Sequence, residues 1–88
     1  ARLNEALVAI AELQLAQKDY LNAIVAYRQL VELAPQDPEI YYKFGLALQG
    51  RGRNEEAITA WEQARDLYRR QGKNKEAKKV EAAIRDLQ

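Results

Sequence analysis

The sequence predicts an all-α fold, a helical-repeat solenoid of two helix–turn–helix units followed by a C-terminal capping helix. Three observations predict it. First, the stretch Asp19 to Pro38, an amphipathic segment closed by a proline turn, returns 34 residues downstream. Ala23 is echoed by Ala57, Ile24 by Ile58, Tyr27 by Trp61, Gln29 by Gln63 and Leu33 by Leu67, while upstream Glu5 and Ala11 match Glu39 and Gly45. A fixed period of this length in a helical chain marks stacked helical hairpins. Second, Ala, Leu, Glu, Lys, Arg and Gln dominate, and these are strong helix formers. Third, Pro35, Pro38, Gly50 to Gly52 and Gly72 break the chain at the intervals the period requires.

In chain order, residues 2–17 read as the first helix, with Leu3, Leu7, Ile10, Ala11 and Gln14 on one face. Val8 and Leu15 lie off that face. Lys18 and Asp19 form a short turn, with Asp19 as N-cap of a second helix over about Tyr20–Leu33. Ala23, Tyr27, Leu30 and Leu33 point inward there. Pro35 and Pro38 end that helix and start the next, with Asp37 as N-cap and Pro38 in the first turn. The third helix covers Pro38–Gln49, with Tyr41, Phe44, Gly45 and Leu48 inward. Gly45 costs about 1 kcal/mol of helix propensity, which implies a close approach by another helix. Gly50 to Gly52 is a turn and not a phosphate loop, because no strand precedes it and no Gly-Lys-Ser/Thr follows. The fourth helix runs from Asn54, its N-cap, to about Gln71, with Ala57, Ile58, Trp61, Ala64 and Leu67 inward. Gly72 breaks it. The fifth covers about Lys75–Leu87, with one narrow stripe of Ala77, Val80, Ile84 and Leu87 and a broad charged remainder. That pattern suits a cap.

The chain has 88 residues, 48% hydrophobic and 31% charged, enough for one folded domain with a small core. Two repeats are fewer than the three a free-standing solenoid usually needs, so something must cover the ends. The domain reads as 1–88, divided into repeat one (4–37), repeat two (38–71) and the capping helix (72–88). There is no Cys, so neither a disulfide framework nor a thiolate metal site can form. No apolar run approaches membrane-spanning length. With no signal peptide visible, a cytoplasmic location is expected. The start at Ala1 without Met reads as an excised fragment and leaves an upstream targeting segment open. His and Ser are also absent and Thr59 is the single hydroxyl of its class, so nucleophile–base pairs cannot be assembled. Glu55 and Glu56 sit at a helix start, where carboxylates stabilise the helix dipole. No enzyme activity, metal or cofactor is expected.

The repeated positions carry a resemblance. Leu7, Ile10, Ala11, Tyr20, Ala23, Tyr27 and Pro35 in the first unit, and Tyr41, Phe44, Gly45, Ala57, Trp61 and Ala64 in the second, resemble the tetratricopeptide repeat (TPR) pattern. Gln14 and Leu48 replace the usual late aromatic, Leu30 replaces an Ala, and the second unit lacks its Pro. The resemblance covers residues 4–71. It is more specific than the likeness to pentatricopeptide RNA binders, because of Gly45 and Trp61.

The resemblance implies a right-handed superhelix whose first helices line a concave groove for a segment of a partner protein. Tyr42 and Leu46 then point into the groove, with Val8, Glu12 and Leu15 in the corresponding places on the first helix. Glu5, Glu39, Lys43 and Gln49 complete that surface. Val8, Leu15, Tyr42 and Leu46 form an apolar strip, and Glu5, Glu12 and Glu39 make one end acidic. The family's chaperone-tail binders hold a terminal carboxylate with Lys and Asn, but Val8 and Glu12 stand at the first two such places here. The expected role is an adaptor or scaffold that binds a protein or peptide.

Two alternatives stand beside it. Residues 51–88 hold ten basic and seven acidic side chains, against four and six in residues 1–50. Arg65, Arg69, Arg70, Lys73, Lys75, Lys78 and Lys79 could therefore meet nucleic acid or an acidic partner. Only Tyr68 is interleaved, where base-stacking binders use several aromatics. The other alternative is homotypic stacking of a truncated array, with self-association through an exposed N-terminal face.

Overall fold

The protein's computed structural model describes residues 2–88, with side chains from residue 4 on. Five helices follow one another: α1 (Arg2–Ala16), α2 (Tyr20–Leu33), α3 (Pro38–Gly50), α4 (Asn54–Arg70) and α5 (Asn74–Leu87). No strand occurs among the described residues. Each helix packs chiefly on its neighbours in sequence. None of the described helices is long and apolar enough to cross a membrane. The fold is an all-α helical-repeat solenoid, as the period requires.

The turns explain where the helices stop. After α1, α3 and α4 the chain closes in the same way. The amide of Asp19 donates to the Gln14 carbonyl, that of Arg53 to Leu48 and that of Lys73 to Tyr68, each at 2.8 Å. The residue before each of these amides has positive φ: Lys18 at 60°, Gly52 at 82° and Gly72 at 74°. Glycine takes that left-handed conformation freely, whereas a lysine is strained there. Lys18→Gly is therefore expected to raise stability by about 0.5–1 kcal/mol, seen as a melting point a few degrees higher. A lower melting point would show that the Lys18 side chain contributes more than its backbone strain costs.

Of two expected N-caps, Asp19 holds the position in α2 but without a side-chain cap, and Asn54 does not hold it in α4. Asp19 accepts from its own helix's Asn22 side chain at 2.9 Å and makes no bond to a backbone amide. Arg53 occupies the N-cap position of α4, and Asn54 is already helical. Asp19, Arg53 and Lys73 share ψ of 67–69°, short of the extended backbone a capping side chain needs. Asp37, at ψ 105°, has it and accepts from the Glu39 amide at 3.0 Å, with Pro38 directly behind. Gly50, expected in the turn, is the last residue of α3 and lies under the Tyr20 ring.

The core runs as one band between the helices. Ala11, Ala23, Tyr27 and Leu30 meet Phe44 and Leu48 in its first part. Trp61, Ala64, Val80 and Ile84 form its second, with Tyr41 and Leu46 against them. Two residues expected inward are not: Ile10 is 51% and Leu33 56% exposed. Thirty-four residues on, Phe44 is buried because α2 lies against it, while no described helix covers Ile10. Leu33 is the last residue of α2, whereas its buried counterpart Leu67 has another turn of α4 beyond it. Leu3, also expected inward, lies outside the residues whose side chains are described.

Candidate functional site

The odd-numbered helices share one side of the solenoid. Lys43 on α3 bridges to Glu12 on α1 and, at 3.0 Å, to Glu39 one turn back on α3. On α5, the Lys79 ammonium stands 5.9 Å from the centre of the Tyr42 ring. The even helices meet on the other side, where Arg28 approaches Glu56 at 3.7 Å and lies over the Phe44 ring at 5.3 Å. Two sides with separate charge pairs follow from the hairpin repeat, because a 34-residue period returns each helix to the same orientation.

The residues expected to line a groove all lie on α1 and α3, but they are not equally available. Glu5, Glu12, Glu39 and Gln49 are exposed. Val8 and Leu15 are half-buried against the first part of the core. Tyr42 and Leu46 are half-buried against the second. The apolar strip thus consists of side chains that pack inward with one edge and offer the other. Tyr42 is anchored most firmly. Its ring is tilted 31° to Trp61 with centroids 6.3 Å apart, and its carbonyl accepts the Trp61 Nε1–H at 3.0 Å.

Between α3 and α5 the surface dips into an open depression of about 290 Å³. Tyr42, Tyr68 and Val80 line it with Glu39, Lys43, Glu76 and Lys79. Of the residues singled out from sequence, Glu39, Tyr42 and Lys43 come together here. Glu12 reaches the site through its ion pair with Lys43, while Val8, Leu15, Leu46, Gln49 and Glu5 do not line the depression. Tyr68, Glu76, Lys79 and Val80 were not foreseen as groove residues. In the sequence Tyr68 read as the one aromatic interleaved among the basic C-terminal residues, and Lys79 as one of those basic residues.

The electrostatics are local. Burial works against the Lys43 charge, but hydrogen bonds to Glu12 and Glu39 outweigh it and lift its pKa to about 12. Two carboxylates thus hold this ammonium, and it is spoken for. Burial raises the Tyr27 hydroxyl to about 12, with Lys43 opposing and Glu12 and Glu39 adding to the rise. That hydroxyl is buried without a hydrogen-bond partner, as is Oε1 of Gln14. Tyr68 is also raised, first by burial and then by surrounding carboxylates, Glu39 first among them.

The basic C-terminal residues are broken up. Arg65 pairs with Asp66 at 3.1 Å and Arg69 with Glu81 at 2.6 Å, while Lys79 turns to the Tyr42 side. They do not form one uninterrupted cationic face. No cluster of three or more metal-ligating side chains occurs among the described residues.

Comparison with known proteins bears on this arrangement. A TPR repeat family model matches residues 11–52, and a tetratricopeptide repeat model matches residues 39–70. A TPR repeat-containing protein of Picosynechococcus is 50% identical over 68 residues, which make up 77% of this chain and 18% of that protein. The chain therefore spans about a fifth of that relative's length. Among solved structures, a tetratricopeptide repeat domain protein from Salinibacter ruber superposes with a TM-score of 0.85 at 22% identity, covering 97% of this chain and 86% of that one. A Bordetella parapertussis protein gives 0.84 at 19%, covering 96% and 73%. At those identities the likeness is one of fold. MamA of Desulfovibrio magneticus gives 0.71 at 26%, covering 94% of this chain and 55% of that one.

Proposed function

The chain belongs to the tetratricopeptide repeat family, whose repeats generally mediate protein–protein interaction, and from that premise we propose that its odd-helix face binds a segment of a partner protein. The observation that carries the proposal is the depression floored by Tyr42, Tyr68 and Val80 and ringed by charge. An apolar floor with a few polar groups at its edge suits an anchoring side chain of a peptide. The strip of Val8, Leu15, Tyr42 and Leu46 extends the contact, as in helix-in-groove recognition.

Charge narrows the partner. Glu5, Glu12, Glu39 and Glu76 lie along this face. Of the two lysines that line the depression, Lys43 is held by two carboxylates. The surplus is acidic, so a partner with apolar anchors and basic flanks meets complementary potential. A terminal-carboxylate ligand fits poorly for the same reason. On this reading the chain is an adaptor or scaffold and not an enzyme. It divides into repeat one (4–37), repeat two (38–71) and a capping helix (72–88), and it does not use its interrupted basic residues for nucleic acid.

The test is binding of a panel of fluorescent amphipathic peptides, half with basic and half with acidic flanks, followed by anisotropy. Basic-flanked peptides are expected to bind more tightly, and Tyr42→Ala with Leu46→Ala should weaken them about tenfold or more. Unchanged affinity in a double variant that keeps its helical circular dichroism would remove this face as the site.

A further inference from the structure

We infer that the α1–α2 face bearing Ile10, Leu13, Leu21 and Val25 is a self-association surface through which two copies of this chain pair about a twofold axis. Each of these four side chains is more than half exposed. The face is distinct from the odd-helix groove, whose α1 members Val8 and Leu15 are half-buried against the core, whereas Ile10 and Leu13 are not among the residues packed on it.

The 34-residue register identifies what this face is built to meet. Ala6, Ile10 and Leu13 correspond to Ile40, Phe44 and Ala47. Those three are buried, in the same part of the core as α2. Phe44 and Thr59, the counterparts of Ile10 and Val25, line one surface pocket together with Arg28 of the preceding hairpin. Ile10 and Leu13 are therefore exposed at positions where the second hairpin receives a packed helix, whereas Leu21 and Val25 correspond to Glu55 and Thr59, which stay exposed there.

Repeat one goes further than its counterpart. Leu13 stands where repeat two has Ala47, Leu21 where it has Glu55, and Val25 where it has Thr59. A face that only needed to stack a hairpin could keep Ala, Glu and Thr, since the α2–α3/α4 junction does. The larger apolar side chains point to a second, more apolar interface.

Charge and symmetry select the occupant. Glu5 and Glu12 of α1 lie apart from the patch, Glu12 paired with Lys43 on the groove side, and Arg28 is turned toward Phe44 and Glu56. Val25 shares a shallow pocket with Arg28, Gln29 and Glu32, so the apolar patch is edged there by one charge of each sign, and an apolar patch with a balanced rim is complementary to itself about a twofold axis. Head-to-tail assembly would need an apolar surface at the other end. There α5 exposes Lys75, Lys78, Arg85 and Asp86. Only the isologous arrangement matches like with like. A few hundred Å² of contiguous apolar surface is about the most a soluble monomer leaves open. An isologous contact counts the patch and its rim twice toward the ~1,000 Å² at which specific interfaces begin. Such a dimer carries two grooves and so engages a partner with two binding segments more tightly than one copy could.

The experiment is sedimentation equilibrium of the 88-residue chain from about 10 μM to about 1 mM. A monomer–dimer equilibrium is expected. Leu13→Glu and Val25→Glu, made separately, should each weaken it about tenfold or more while the circular dichroism stays helical. Thr59→Glu, at the position equivalent to Val25, should leave it unchanged. A monomer throughout that range overturns the inference and assigns the face to a different protein or to a further hairpin of a longer chain. A dimer that survives both substitutions also overturns it.

Discussion

Trp61→Ala is expected to leave the domain largely unfolded at room temperature. The indole is 1% exposed and closes the second part of the core with Ala64, Val80 and Ile84. It also ties two helices together, since its Nε1–H donates to the Tyr42 carbonyl of α3. Truncating a buried aromatic to alanine costs about 3–5 kcal/mol, because the transfer free energy is lost and the cavity collapses only in part. A small helical domain sits near the low end of the usual stability range, about 5 kcal/mol. The single change thus removes most of what holds the chain folded. Thermal unfolding followed by circular dichroism measures it. Each kcal/mol moves the midpoint of a domain this size by about 4–8 °C, so a variant that melts within a few degrees of the parent would show that Trp61 is not the keystone of this core.

How Trp61 was legible in the sequence, and Ile10 was not, has one physical explanation. Periodicity identifies the apolar face of a helix, and a repeat says which helices stack. Trp61 satisfies both, because it lies on the inward face of α4 and echoes Tyr27. Ile10 satisfies both as well and echoes Phe44, yet it is exposed. Spacing cannot say whether a partner helix is present. The five helices were legible because Pro35, Pro38, Gly52 and Gly72 carry backbone constraints that act locally. Lys18, with the same positive φ as Gly52 and Gly72, hides that constraint behind an ordinary side chain. The groove was legible only on α1 and α3. Tyr68 and Lys79 are separated by a turn and join Tyr42 only because α5 folds back across the end of α4. Asn54 looked like a cap because its residue type suits one. The backbone of the turn placed Arg53 there instead.

Gly45→Ala should destabilise the domain, against the local preference. In an open helix this change gains about 1 kcal/mol of propensity. Here an added Cβ would fall 2.1 Å from the Trp61 Nε1 and 2.3 Å from its Cδ1. The indole has nowhere to go, since Tyr42 packs on one side of it and its N–H is bonded to the Tyr42 carbonyl. Forcing a methyl into such a contact costs about 1–3 kcal/mol. Set against the propensity gained, the net loss is up to about 2 kcal/mol, and the melting point should fall by up to roughly 15 °C. Repeat one shows how the pair can be exchanged. There Ala11 stands in place of Gly45 and Tyr27 in place of Trp61, and both are fully buried. A larger residue on the odd helix goes with a narrower ring on the even one. The double variant Gly45→Ala with Trp61→Tyr transplants that pair. Its loss of stability should be smaller than the sum of the two single losses, because the tyrosine ring vacates the space the methyl needs. Strict additivity, or a Gly45→Ala single variant as stable as the parent, would show that α3 and α4 do not depend on this contact for their close approach.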